Sequence, residues 1–336
     1  MPSFWEIPLP QNGMATIVSN YDGPLYLVVA KTFYNAGQIG SSFQFPLPVE
    51  YYTAHFPLFP VLISLFGIFV NYPYAMLIVT LITSFLAVYF FYKLSGNFFL
   101  TFLFAILPAR WLIVRSIGSP EPLFIAGILA SIYYFKKEKY LSSGVWGMIA
   151  GLTKSPAILL FIAYLVYMIW QKKYDFKKYL PILLIPLSLF LVFLFYYLRT
   201  GDFFAYFHSG DNIHLLFPPF QIFNSSASWV GTFWLEEILF IYALGATSLL
   251  KLIKDKEYLY ASFVGVFFLL TLFISHRDLL RYSLPLMPFT MLTFKDLLLT
   301  KEAKYIIALL IIPIYLFSLS FISQNVMPIS NWAPFL

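Results

Sequence analysis

An all-α polytopic membrane protein is the fold this sequence predicts, and three observations predict it. Only 11% of its residues are charged and 60% are hydrophobic, whereas a soluble domain carries about 25% charge. Apolar runs that reach or approach the length of a bilayer span recur from residue 73 to residue 322. The lysines collect at alternate junctions between those runs, the pattern that marks cytoplasmic loops. The same composition excludes several chemistries. Cysteine is absent, so disulfides, thiolate nucleophiles and Cys-based metal sites are ruled out. The net charge of +6 suits the loops of a membrane protein and implies no nucleic-acid partner.

The chain reads as a single integral membrane domain over 1–336, and its parts follow in order. Residues 1–72 form an outer-face segment. Glu6 and several prolines stand near its start, with no basic stretch leading into an apolar run, so no cleavable leader is expected. Within it, SNYDGPLYLVVAKTFYN (19–35) places Asp22 before Gly23 and Pro24. Asp-Gly-Pro reads as a turn that opens a helix, since Asp caps and Pro is tolerated in the first turn. Leu25, Val28, Val29 and Phe33 make a stripe suited to a helix lying on a membrane surface, with Lys31 and Asn35 off it. Asp22 is then either a helix cap or an acid presented beside the bilayer. Residues 57–70 are apolar but short of the ~20 residues a span needs, so they predict an interfacial or re-entrant helix.

A transmembrane core over 73–198 follows, with spans at 73–93, 98–115, 121–135, 141–154, 156–171 and 179–198. Residues 199–230 are one long outer loop rich in aromatics, His and Asp. The C-terminal part, 231–336, holds spans at 231–252, 257–275, 279–296 and 303–322, which brings the count to about ten. With that count, Lys93, Lys136, Lys137, Lys139, Lys172, Lys173, Lys177, Lys178, Lys251, Lys254, Lys256, Lys295, Lys301 and Lys304 share one face, which we assign to the cytoplasm. Asp22 and the 199–230 loop then face outward.

Every arginine and histidine falls on that outer face, where basic residues are expected to be scarce. Arginine offers forked donors that match phosphate oxygens, and ionisable groups at membrane depth are functional candidates. Three clusters stand out. Asp22 is accompanied by Glu50 and YYTAHFPLFP (51–60). GSPEPLF (118–124) and GLTKSP (151–156) lie at two outer junctions, where Glu121 and Lys154 are able to meet. In SHRDLLRYSLPLMP (275–288), Arg277 and Arg281 are spaced i, i+4 on one helix face. That pair predicts a phosphate clamp, assisted by Lys154 and His276, against the alternative of pairing with Asp278. The substrate-contact candidates are Tyr21, Tyr26, His55, Glu121, His208 and His214. His208, Asp211 and His214 are donors a divalent metal accepts, but a solvated or substrate-contact loop is the favoured reading. No metal or other cofactor is expected.

YDGPLYLVVAKTFYN resembles the Trp-Asp-Gly-x-x-Tyr segment of the PIG-V family, the second mannosyltransferases of GPI-anchor assembly and their prokaryotic relatives. HFPLFPVL (55–62) is similar to that family's Phe-Pro-Leu-x-Pro segment. SPEPLFIAGILASIYYF and GMIAGLTKSPAILL resemble its Ser-Glu-x-Leu-Phe and Gly-Leu-Thr-Arg segments. The resemblance covers about residues 19–160, with RYSLP matching an outer Arg-Tyr-x-x-Pro pattern further on. Tyr21 replaces the usual Trp, and Lys154 stands where that family has Arg.

The resemblance implies a GT-C-like bundle of about ten transmembrane helices with outer-face juxtamembrane helices. It implies a mannosyltransferase-like enzyme. A polyprenyl- or dolichyl-phosphate sugar is the donor, and a glycolipid or protein on the outer or luminal face is the acceptor. Asp22 would be the catalytic carboxylate, and the residues themselves offer Glu50 as a nearby second acid or acceptor-positioning group. GT-C chains also carry a span ahead of the acid-bearing loop, and the ~20 residues before Asp22 are too few to supply one.

The chemistry suits the residues independently. A sugar on a lipid phosphate brings its own leaving group. The protein must add a base for the acceptor hydroxyl, cations for the departing phosphate and a water-poor pocket. A lone carboxylate base implies inversion, since retention asks for a second carboxylate about 5 Å away. Two other classes compete. A transporter or flippase of a lipid-linked or anionic substrate would show internal repeats and charges at the midplane, yet no repeat is evident and the charges sit at one end. A non-catalytic membrane subunit that keeps the fold is the other.

Overall fold

The computed structural model describes residues 3–10, 12–43, 47–210, 215–224, 226 and 234–336. The chain is an all-α membrane protein, its only sheet among the described residues being a two-stranded antiparallel hairpin in which Phe4 pairs with Ile7. Among the described residues, most of each apolar run read from the sequence is helical. Three helices among the described residues are long and apolar enough to cross a bilayer: Tyr72–Ser95, Phe176–Thr200 and Lys301–Gln324. The last is the most exposed of them, with Leu309, Ile312 and Tyr315 all more than half accessible. An uncharged apolar surface of that kind belongs in lipid.

At the centre is Glu121–Lys136, a helix buried along almost its whole length. Tyr72–Ser95 packs on one side of it and Tyr140–Thr153 on another. Tyr140–Thr153 in turn meets Leu184–Thr200. That approach is close because Gly147 has no side chain: a Cβ there would stand 2.5 Å from Ile185 Cγ1. Small residues at such crossings are how membrane helices gain packing without a hydrophobic drive. Ile158–Trp170 lies along Tyr258–Thr271, which also contacts Trp234–Lys254.

Two runs expected as continuous spans are broken. Residues 98–115 divide into Phe98–Ile106 and Ala109–Val114 around Pro108, since a proline disfavours helix at the residue before it. Residues 279–296 divide into Leu279–Tyr282, Leu284–Leu286 and Met287–Thr293, where Pro285 and Pro288 interrupt the amide ladder. The short helix expected within 57–70 is Leu58–Phe66.

The helix after Asp22, Gly23–Thr32, departs from the surface-lying expectation. Leu25, Val28 and Val29 are buried, but so are Tyr26, Leu27, Ala30 and Thr32 on the other faces, while Phe33 is exposed. The apolar stripe therefore does not meet lipid. Leu58–Phe66, Tyr72–Ser95 and the C-terminal turn Ala333–Phe335 pack around the helix instead. Lys31 fastens that turn by donating to the carbonyls of Pro334 and Leu336.

Candidate active site

Asp22 is positioned by a turn, and the turn is held from both ends of the chain. The Gly23 amide donates to the Asn20 carbonyl at 3.0 Å. The Asn20 side chain donates to the carbonyls of Thr16 and Ile322, the second of them on the C-terminal helix. Tyr21 adopts a left-handed φ of 47°, a costly conformation for a bulky residue and one that gathers at functional sites. Gly23 is required by closeness, since a Cβ there would stand 2.2 Å from the Val18 carbonyl oxygen. The Asp22 carboxylate makes no capping bond to the helix it precedes. It turns instead towards Arg281, whose Nη1 and Nη2 both lie 3.4 Å from Asp22 Oδ2.

Arg281 joins this acid to a second one. Its Nε donates to Glu121 Oε1 at 2.7 Å. Lys154 Nζ reaches the same oxygen at 2.5 Å, and the Ser119 hydroxyl donates to Glu121 Oε2. Glu121 is only 4% exposed at its side chain and Arg281 13%, whereas Asp22 is 31% exposed. Buried charges persist only when paired and hydrogen-bonded, and here the pairing is complete on Glu121. The Arg281 guanidinium also lies 4.3 Å from the centre of the Tyr21 ring, a cation–π contact that fixes the plane of the fork. On the ring's far end, Arg110 donates to the Tyr21 hydroxyl at 2.8 Å and pairs with Asp278 at 3.4 Å. Burial, reinforced by Asp278, pushes the Tyr21 hydroxyl well above its ordinary pKa, so it remains neutral.

Four of these groups open into one cavity. Asp22, Glu121, Lys154 and Arg281 supply its charges, and Tyr26, His55, Phe124, Tyr206, Phe267 and Pro285 are among its walls. The Tyr26 ring stands edge-on to His55 at 4.7 Å. Ser155 shares a hydrogen bond with the Tyr206 hydroxyl at 2.7 Å. An acid with room to take a proton faces two cations across a largely apolar pocket, an arrangement able to bind an anion and deprotonate a hydroxyl.

Of the residues singled out in the sequence, Asp22, Tyr26, His55, Glu121, Lys154 and Arg281 line this cavity, and Tyr21 packs directly behind Arg281. Others do not. Glu50 lies in the short helix Val49–Ala54, exposed and away from the cavity. Arg277 is exposed and precedes the helical turn Leu279–Tyr282, so it does not share a helix face with Arg281. His276 accepts the Asp278 amide at Nδ1 and packs on Tyr282. His208 is exposed and pairs with Asp202 at 2.6 Å. That bond holds the Asp202 carboxyl below its ordinary range. Asp211 and His214 lie outside the described residues. Among the described residues no cluster of three or more metal-ligating side chains occurs. The sequence reading had not placed Arg110, Ser119, Asp278 or Tyr206 at the site. The outer arginine excess was the signal for Arg110, Asp278 stood in the sequence only as an alternative partner of the Arg277–Arg281 pair, Ser119 lay within the GSPEPLF cluster without a role of its own, and nothing marked Tyr206.

No family model matches the chain, and no curated protein matches it. Among solved structures, it is similar to ArnT from Cupriavidus metallidurans bound to undecaprenyl phosphate. The TM-score is 0.61 at 11% sequence identity, and the match covers 89% of this chain and 61% of ArnT. This chain thus spans less than two thirds of that protein's length. The likeness is one of fold.

Proposed function

We propose that the protein is a membrane glycosyltransferase that moves a sugar from a polyprenyl-phosphate donor to a hydroxyl acceptor, with inversion, on the extracytoplasmic side. The convergence of Asp22, Arg281 and Lys154 on one cavity carries this reading. ArnT, of like fold, is described with undecaprenyl phosphate bound, which supports a lipid phosphate as the donor's carrier. Asp22 accepts the acceptor's proton as the acceptor oxygen attacks the anomeric carbon. The bond from that carbon to the phosphate oxygen breaks, and its electron pair leaves with the phosphate, which Arg281 and Lys154 receive. Arg281 is suited to this because its Nε is already anchored on Glu121, so its Nη edge is held towards the cavity.

Both oxygens of Glu121 are engaged, by Arg281, Lys154 and Ser119. Asp22 is therefore the carboxylate placed to act as base, and a covalent glycosyl intermediate on a second acid is not favoured. The motif resemblance over residues 19–160 supports a mannose-like sugar and a glycolipid or protein acceptor. The test incubates the purified full chain with a panel of polyprenyl-phosphate sugars and lipid extracts and scores products by mass. Transfer of a hexose with release of polyprenyl phosphate is expected. Donors left intact, with the fold retained, would contradict the reading.

A further inference from the structure

The charged side chains that line the cavity are two carboxylates, Asp22 and Glu121, and two cations, Lys154 and Arg281, which offset one another. The acids are not equivalent. Asp22 is partly exposed and lies 3.4 Å from Arg281, while Glu121 is buried with a single oxygen shared by Arg281 and Lys154. We infer that Glu121 is a positioning residue that also sets product release: its fixed negative charge keeps the cation pair from holding the departing phosphate too tightly. This rests on the donor reading above.

The charge balance shows why the site needs such a counterweight. The donor's phosphodiester carries one negative charge. On transfer, the sugar–phosphate bond breaks, the acceptor's proton passes to Asp22, and the phosphate leaves as a monoester that can carry two charges. The reaction therefore neutralises Asp22 and adds a charge to the phosphate. Two cations then face a dianion in a pocket of low dielectric, where each charge interaction is strengthened. Were Glu121 neutral, both cations would be fully available to that dianion and the product would hold the site. With Oε1 bonded to both cations, Glu121 offsets part of the positive charge that the phosphate meets throughout the cycle. The Ser119 hydroxyl on Oε2 keeps the carboxylate oriented to do so. Ser119 is itself tied to Thr80, whose hydroxyl oxygen accepts the Ser119 amide at 3.2 Å. Where release of the phosphate product limits kcat, a residue that loosens it speeds turnover.

The test measures binding of polyprenyl phosphate to the full chain and to Glu121→Gln, which keeps the shape and removes the charge, alongside steady-state kinetics. The expected result is tenfold or tighter product binding in Glu121→Gln, stronger product inhibition, a lower kcat and a donor KM that does not rise. Equal or weaker product binding in a folded Glu121→Gln would overturn the inference while leaving the donor reading intact. Failure of the unmodified chain to bind polyprenyl phosphate at all would sink both. If Glu121→Gln does not fold, Lys154→Met and Lys154→Met/Glu121→Gln give the same comparison with one buried cation removed. The double variant should bind polyprenyl phosphate tenfold or more tightly than Lys154→Met, and no difference between them would overturn the inference.

Discussion

The two ends of the central helix Glu121–Lys136 carry similar numbers of charges and treat them in opposite ways. The ends are separated by about 22 Å at the helical rise. At the Glu121 end, Asp22, Lys154, Arg281, Arg110 and Asp278 converge, with side-chain exposures from 4% to 31%. At the Lys136 end, the pairs Lys136–Glu257, Lys178–Glu138 and Lys251–Asp255 are exposed by 39% to 65%. Exposed pairs in water gain little and serve mainly to mark the loop side. The buried set costs desolvation on every member and is kept only where geometry satisfies it, which is the signature of a site rather than of a stability device.

The largest expected effect breaks the buried end. Arg281→Ala removes one of the two cations bonded to Glu121 and should destabilise the fold by about 3–5 kcal/mol, read from denaturation in detergent, with donor binding lost. Arg281→Lys should recover only part, because an ammonium cannot reach Glu121 and present a two-toothed edge to the cavity together. An Ala variant as stable as the parent and unchanged in donor affinity would erase the contrast between the two ends. A much smaller effect is expected at the other end. Lys178→Met removes the pair with Glu138 and should cost less than about 1 kcal/mol, with turnover unchanged. A loss as large as that at Arg281 would mean that the lysine end is no mere loop marker.

The comparison sharpens into topology if the two ends face different compartments. The chain has no cysteine, so single cysteines at Lys137 and at Glu50, both exposed, can be labelled with an impermeant thiol reagent in sealed vesicles. Opposite sidedness is expected, and labelling of both from one side would overturn the assignment of the site to the outer face.

How much of this was legible in the sequence depends on distance along the chain. The apolar runs announced the helices because burial in lipid needs only local composition. The Glu121–Lys154 pair was legible because Pro and Gly placed both at ends of neighbouring helices. The meeting of Arg281 with Asp22 spans 259 positions and follows from packing that no local pattern encodes. Arg277 misled because its spacing from Arg281 matters only inside a helix, and the helical turn begins at Leu279. The stripe on Gly23–Thr32 misled for a related reason. Periodicity showed which residues avoid water, but not that protein from Tyr72–Ser95 and Ala333–Phe335 would cover the remaining faces.

The central claim is that the buried end works as an active site through Asp22, and turnover of Asp22→Asn tests it most directly. Asparagine keeps the size and, since Asp22 makes no capping bond, takes nothing from the helix. With a polyprenyl-phosphate sugar and its acceptor, the variant should fold, bind donor and lose about 10²- to 10⁴-fold in kcat, the usual cost of a general base. Turnover at the parent rate would contradict the account.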